Sequence, residues 1–184
     1  MPKSALTQLT DDHRQVKKLF DDFEECTPRA VKRMGELRDR IVKELSVHAA
    51  IEERVLYPVT IELIPDLEEQ VLEGMEEHAV AEQLLAQVAH MATDDRWFRP
   101  KMSVLIESVR HHIDEEESEL FPKLREALTR TDLEDLGAAL DEARATAPEV
   151  PPPSAQGRAL VEQVTDRAQE LLHRIGATVG VGAR

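Results

Sequence analysis

The chain of 184 residues matches itself when laid over its own sequence at an offset of 64 or 65 positions. The segment from His48 through Glu52, Glu53, Leu56, Tyr57 and Pro58 falls on that from His112 through Glu116, Glu117, Leu120, Phe121 and Pro122. Likewise Asp11, Asp12, His13 and Leu19 fall on Glu76, Glu77, His78 and Leu84. A repeat of this length is one supersecondary unit copied, here a helical hairpin, and two copies packed together form a pseudo-twofold bundle. Whatever the repeat turns inward therefore occurs twice, close to one axis.

Local signals supply the helices. Thr10 reads as an N-cap, with Asp11 and Asp12 at the positive end of a helix A that runs to about Cys26. Pro28 fits the first turn of helix B, which continues to about Tyr57, where Pro58 removes a backbone donor. Pro65 and Asp66 open helix C, which fades near Thr93; Pro100 opens helix D, interrupted at Pro122. Short connections between four long helices predict an all-α, up-and-down four-helix bundle over residues 1–130. Residues 131–184 read as a C-terminal helical extension: a short helix from Asp132 to Ala145, a proline-rich linker at 148–153, an amphipathic stretch from Arg158 to Ile175 and a frayed glycine-rich tail. With only six aromatic residues and seven glycines, the composition disfavours a sandwich or barrel.

Steps of three and four trace the apolar stripe of each helix. Helix A gives Leu9, His13, Val16, Phe20 and Phe23, and helix B gives Met34, Leu37, Ile41, Leu45, His48, Glu52 and Val55. Helix C gives Val71, Met75, His78, Glu82 and Leu85; helix D gives Met102, Leu105, Val109, His112, Glu116 and Leu120. Every stripe carries a histidine where an apolar side chain is expected, and three of them place a glutamate one turn later. Residues four apart share a face, so each His-x-x-x-Glu pair aims imidazole and carboxylate into the same space.

Four histidines and three carboxylates then converge in the core, where an unpaired charge costs several kcal/mol. Lys17, Lys43 and Arg54 lie off the stripes, so metal cations are the natural counter-charge. Imidazole and carboxylate oxygen suit iron, manganese or zinc, and no cluster of thiolates is present for a structural zinc site.

Other polar residues read more plainly. His111 and Glu115 form a one-turn pair whose stripe passes through the polar Ser108, placing them on the outer face. Glu53 and Glu117 sit one step off their stripes, either orienting histidines or, the favoured reading, standing as solvated charges. His90 and His173 read as surface residues, and Cys26 as packing. Tyr57 reads as a packing anchor that reaches a metal only if the turn before Pro58 is irregular.

A net charge of −14 opposes docking on nucleic acid or anionic membrane. A single cysteine and an N-terminus without an apolar core predict a cytoplasmic protein, and no apolar run is long enough to span a bilayer.

The motifs Asp12-His13, His48-x-x-x-Glu52-Glu53 with Leu56-Tyr57-Pro58, Glu77-His78-x-x-x-Glu82, and His112-x-x-x-Glu116-Glu117 with Leu120-Phe121-Pro122 resemble the bacterial branch of the haemerythrin-like family, the HHE cation-binding domain. That resemblance implies an oxo-bridged non-haem di-iron centre within the bundle. By analogy Glu52 and Glu116 bridge two iron ions, His78, Glu82 and His112 complete one, and His13 with His48 hold the other. The second iron is then open to dioxygen, peroxide or nitric oxide. Glu82 stands where oxygen-carrying members have a second histidine, and Glu116 follows its histidine at four residues where they place an aspartate at five. Added anionic oxygen donors stabilise ferric iron and argue against reversible oxygen carriage. The ferritin-like di-iron class, which needs Glu-x-x-His on two helices, is set aside.

Two functions follow as expectations. The first is a di-iron protein that binds, senses or degrades its oxygen-derived ligand in a catalase-like manner, with catalytic residues unassigned. The second is an iron-sensing or metal-dependent interaction module, in which filling the site tightens the bundle and the C-terminal helix reports it to a protein partner of unspecified identity.

Overall fold

Ser4, rather than Thr10, begins the first helix, because its side chain accepts the Thr7 backbone N–H at 3.3 Å while Thr10 lies inside the helix and donates its hydroxyl to the Leu6 carbonyl. In this computed structural model, which describes residues 3–151 and 169–174, every regular element among the described residues is helical. Helix α1 spans Ala5–Glu24, α2 Val31–Ile51, α3 Tyr57–Leu63, α4 Glu68–Ala89, α5 Phe98–Glu115, α6 Phe121–Ala127 and α7 Arg130–Arg144. Pro28 falls in the turn before α2, Pro65 opens a 3-10 turn ahead of α4, and Pro100 sits in the first turn of α5.

Pro58 and Pro122 do not end or break their helices as the sequence predicts. Each follows a π-helical turn, Glu52–Leu56 and Glu116–Leu120, closed by Tyr57 N–H bonding to the Glu52 carbonyl and Phe121 N–H to that of Glu116. A proline in a regular helix loses a hydrogen bond and drives its ring into the carbonyl four residues back. Widening the preceding turn lets α2 run on into α3 and α5 into α6.

The long helices pack as a ring in the order α1, α2, α4, α5, and back to α1. Two apolar clusters fill it. One, holding Val16, Phe20, Leu37, Ile41, Leu85, Phe98 and Leu105, lies toward the α1–α2 and α4–α5 connections. The other holds Leu9, Ile51, Val55, Leu56 and Phe121 and is closed by Leu133, Leu136 and Leu140 of α7. Between them lies the layer of histidines and glutamates. Helix α7 carries the capping box of Thr129 and Asp132 and packs on α1, α2 and the first π turn. Of the predicted stretch Arg158–Ile175, residues 169–174 are helical, with Leu171 buried in the α7 cluster. The remainder, like the end of the proline-rich linker, lies outside the described residues. Among those described, no helix is long and apolar enough to cross a membrane.

Candidate metal centre

The stripe positions deliver their side chains inward: His13, His48, Glu52, His78, Glu82, His112 and Glu116 are all buried. Six of the seven form two donor groups. His13, His48, Glu52 and Glu116 bring one ligand atom each within 4.8 Å of one another, and Glu52, His78 and His112 do the same beside them. Glu52 is shared, its Oε2 lying 3.1 Å from His48 Nε2 and 3.5 Å from His78 Nε2. Glu116 also spans the groups, with Oε2 at 3.3 Å from His13 Nε2 and Oε1 at 3.7 Å from His112 Nε2. Glu82 is buried along the wall beside them, but its carboxylate falls outside both groups.

Each histidine faces a carboxylate of the neighbouring helix from behind, and His13, His78 and His112 bond theirs. Glu117 accepts from His13 Nδ1 at 2.9 Å, Glu53 from His78 Nδ1 at 3.1 Å and Glu77 from His112 Nδ1 at 2.7 Å, while Asp12 faces His48 Nδ1 at 3.5 Å. The pattern circles the bundle, each helix of the ring supplying the acceptor for the next. The favoured reading of Glu53 and Glu117 as solvated charges is thus corrected: Glu53 is 4 % exposed, and both bond histidines. The roles of Asp12 and Glu77 were missed. Their signal was the repeat itself, which sets a carboxylate directly before His13 and His78 and directly after Glu52 and Glu116.

An ionised carboxylate only accepts hydrogen bonds, so a ring bonded to one through Nδ1, as His13, His78 and His112 are, keeps its proton there and presents the Nε2 lone pair to the interior. Yet His13 Nε2 lies 3.1 Å from His48 Nε2, and His78 Nε2 lies 3.0 Å from His112 Nε2. Two lone pairs at that distance need a positive species between them. Neither oxygen of the fully buried Glu52 makes a hydrogen bond, nor does Glu116 Oε2. Buried polar atoms are rarely left so. Orphaned carboxylate oxygens among facing imidazole lone pairs are the donor set of hard or borderline divalent cations.

Protons are the substitute when no cation is present. Burial alone would lower His48, but Glu52, Asp12 and Glu116 raise it to about 10; likewise, against burial, Glu116 and Glu77 raise His112 to about 9. His78, desolvated and next to His112, falls to about 4. Glu116 would be raised by burial, but His112 and His13 hold it far below the usual carboxylate range. Burial lifts Glu53 to about 7 against the pull of Arg54, and burial with the nearby Glu53 charge lifts Glu82 to about 7.

Tyr57 departs from its reading as a packing anchor. Its hydroxyl donates to Glu116 Oε1 at 3.1 Å and lies 3.4 Å from His78 Nε2 and 3.5 Å from His112 Nε2. The turn before Pro58 is indeed irregular, and the π turn carries Tyr57 into line. Its repeat counterpart Phe121 stacks on His13, ring centroids 5.7 Å apart, without a polar atom. The groups therefore differ by one hydroxyl. Beside the donors a small cavity of about 30 Å³ is walled by Val16, Leu45, Leu85 and Val109, with Glu82 and Ser108 among them. His111 is exposed on the outer face, 3.3 Å from Glu115, and His90 and His173 are also exposed, as the sequence predicts.

Comparison with known proteins bears on this geometry. A family model described as Hemerythrin HHE cation binding domain matches residues 4–124. Among solved structures, the chain is similar to a Hemerythrin HHE cation binding domain-containing protein from Mycobacterium kansasii, with a TM-score of 0.65 and 22 % identity over 88 % of this chain and 99 % of that one. An uncharacterized hemerythrin-like protein of Schizosaccharomyces pombe is 25 % identical over 170 residues, 86 % of this chain and 80 % of the relative. A protein of Nostoc sp. named DNA nickase is 28 % identical over 138 residues, 68 % of this chain; the match spans 38 % of the Nostoc protein.

Proposed function

Since the chain belongs to the hemerythrin HHE cation-binding family, we propose that its two donor groups hold two iron ions and that the pair binds or reacts with dioxygen, peroxide or nitric oxide. The observation that carries this reading is the double Nε2 to Nε2 approach around the shared, unbonded carboxylate of Glu52. His13 and His48 would hold one ion, His78 and His112 the other, with Glu52 and Glu116 across both. Glu82, by the family resemblance, would add an oxygen donor to the ion of His78 and His112.

Iron, when bound, supplies two one-electron couples side by side. The protein's part is to position, desolvate and manage protons. The carboxylates bonded behind His13, His78 and His112 fix those rings' tautomers and strengthen Nε2 as a donor, and Asp12 faces His48 in the same way at 3.5 Å. Burial and the charges of Glu116 and Glu52 keep the Tyr57 phenol well above its ordinary pKa, so it stays protonated and donates its O–H to Glu116 Oε1, beside His78 and His112. Val16, Leu45, Leu85 and Val109 would give the small cavity beside the donors an apolar wall that limits its water. Together these features suit a small diatomic or peroxide ligand that needs one proton at a time, and catalase-like turnover is the chemistry we favour.

DNA nicking is not carried over from the Nostoc relative, because a net charge of −14 opposes the phosphate backbone. One observation favours a sensing role alongside. Arg144 at the end of α7 pairs with Asp12 Oδ2 at 2.6 Å, and Asp12 faces His48, so a change at the metal is felt by the C-terminal extension.

The test is metal analysis with peroxide consumption and visible absorption of the purified chain. Two irons per chain with ferric charge-transfer bands are expected, both lost in His48→Ala and both kept in His111→Ala. A colourless protein carrying only zinc, or His48→Ala with full iron content, would overturn the redox assignment.

A further inference from the structure

On one side of the bundle a cleft of about 280 Å³ runs between α4 and the α5 to α6 junction, and its floor is Tyr57, His112 and Glu116. Seven carboxylates line it against one lysine, Lys123, whose ammonium bonds Gln70 at 3.0 Å, and the His112 imidazole on the floor. Glu69, Glu73 and Glu119 stand exposed at the rim. Deeper in, half-buried Glu77 and Glu115 continue the series, Glu77 bonding His112 Nδ1 at 2.7 Å. At the bottom is Glu116, 4 % exposed, with Oε1 accepting from Tyr57 at the floor and the unbonded Oε2 facing His13 in the buried group.

The cleft comes within reach of the donors because position 74 is glycine. A Cβ there would stand 3.2 Å from the Tyr57 hydroxyl and 3.4 Å from His112 Cε1, and any longer side chain would fill the floor.

The repeat provides an internal control. Offsets of 64 and 65 pair Gly74 with Leu9, Glu115 with Ile51, Glu119 with Val55 and Tyr57 with Phe121. All four counterparts are buried, in the apolar cluster that α7 closes. The same hairpin geometry thus gives a sealed apolar side and an open acidic side, and of these two faces the open one carries a graded series of cation donors ending at the buried site.

We propose that this cleft is the route by which divalent cations reach the paired donor groups, entering past Glu69, Glu73 and Glu119 and arriving at His112 and Glu116. The inference rests on the reading of the buried groups as a cation site. A negative cleft with low-dielectric walls raises the local concentration of cations and their rate of arrival. Removing charges from the rim should therefore slow uptake without changing how much is finally bound.

The experiment follows cobalt(II) uptake by the chelator-stripped full chain in a stopped-flow spectrometer, reading d–d absorption, with helicity checked by circular dichroism. Glu69→Gln/Glu73→Gln is compared with wild type and with Asp141→Asn/Glu142→Gln, which removes two exposed charges from α7. At roughly 10 mM ionic strength the rim variant should load about five- to tenfold more slowly, narrowing to within about twofold in 1 M salt. The α7 variant should load at the wild-type rate, and all three should reach the same cobalt content. Equal rates for the rim variant and wild type, or equal slowing in the α7 variant, would overturn the route. Failure of wild type to bind cobalt at all would instead overturn the site itself.

Discussion

At the scale of single residues, the centre depends on what stands behind each histidine as much as on the histidine. His13 illustrates the dependence. Its ring is 1 % exposed and stacked on Phe121, so packing fixes its position, but Glu117 at 2.9 Å from Nδ1 decides which nitrogen keeps the proton. Without that acceptor the neutral ring is free to protonate Nε2 and withdraw its lone pair from the interior. Glu117→Ala should leave the fold intact, since the residue is partly exposed and Lys17 retains Asp114 at 3.0 Å as a partner. It should weaken metal binding about 10- to 100-fold, read by competition with a chelator of known affinity. An affinity unchanged from wild type would show that Glu117 belongs to the surface, as its off-stripe position first implied.

Elements explain which parts of the site were legible in the sequence. The seven buried stripe positions, six of which meet in the donor groups, could be read because α1, α2, α4 and α5 keep regular helical phase up to His13, Glu52, Glu82 and Glu116. Beyond Glu52 and Glu116 that phase fails: a π turn adds one residue, so the inward position after Glu52 passes to Tyr57. Stepping by three and four cannot register this shift, although proline beyond each turn was its visible cause. The acceptor ring was hidden for another reason, since each acceptor serves a histidine on the next helix and helical periodicity says nothing across helices. Helix α7 was legible as a helix but not in its docking, which depends on close backbone approach. Gly137 sits where a Cβ would meet the Lys3 carbonyl oxygen at 2.2 Å and the Ala5 nitrogen at 3.0 Å, and its own carbonyl accepts from Gln8 Nε2 at 2.9 Å. Backbone cannot yield there as a side-chain tip can. Gly137→Ala should therefore destabilise the protein by about 1–3 kcal/mol despite alanine's better helix propensity, lowering the thermal midpoint by about 2–4 °C for each kcal/mol. A midpoint at or above that of wild type would mean α7 docks loosely.

For the whole molecule, the buried charge layer must be balanced in every state, and the balancing species sets how stability responds to pH. With no cation bound, protons on His48 and His112 do the balancing, their pKa values standing near 10 and 9 against 6.5 for free imidazole. A group whose folded pKa exceeds its unfolded one stabilises the fold fully below the unfolded value and loses that contribution as pH rises through the folded value. The metal-free protein should therefore lose stability between pH 7 and 9, as the unfolded chain stops competing for protons that the native cluster still holds. With cations bound, the same nitrogens are occupied by metal, and alkaline pH removes the protons that compete for them. The stabilisation by metal should consequently grow with pH. General repulsion from the net charge of −14 rises with pH in both forms and cancels when they are compared. Thermal unfolding at pH 7, 8 and 9, with chelator and with saturating zinc, measures the difference directly. The gap between midpoints should widen steadily toward pH 9; a gap that narrows would mean that protons on these histidines are not what the cations replace.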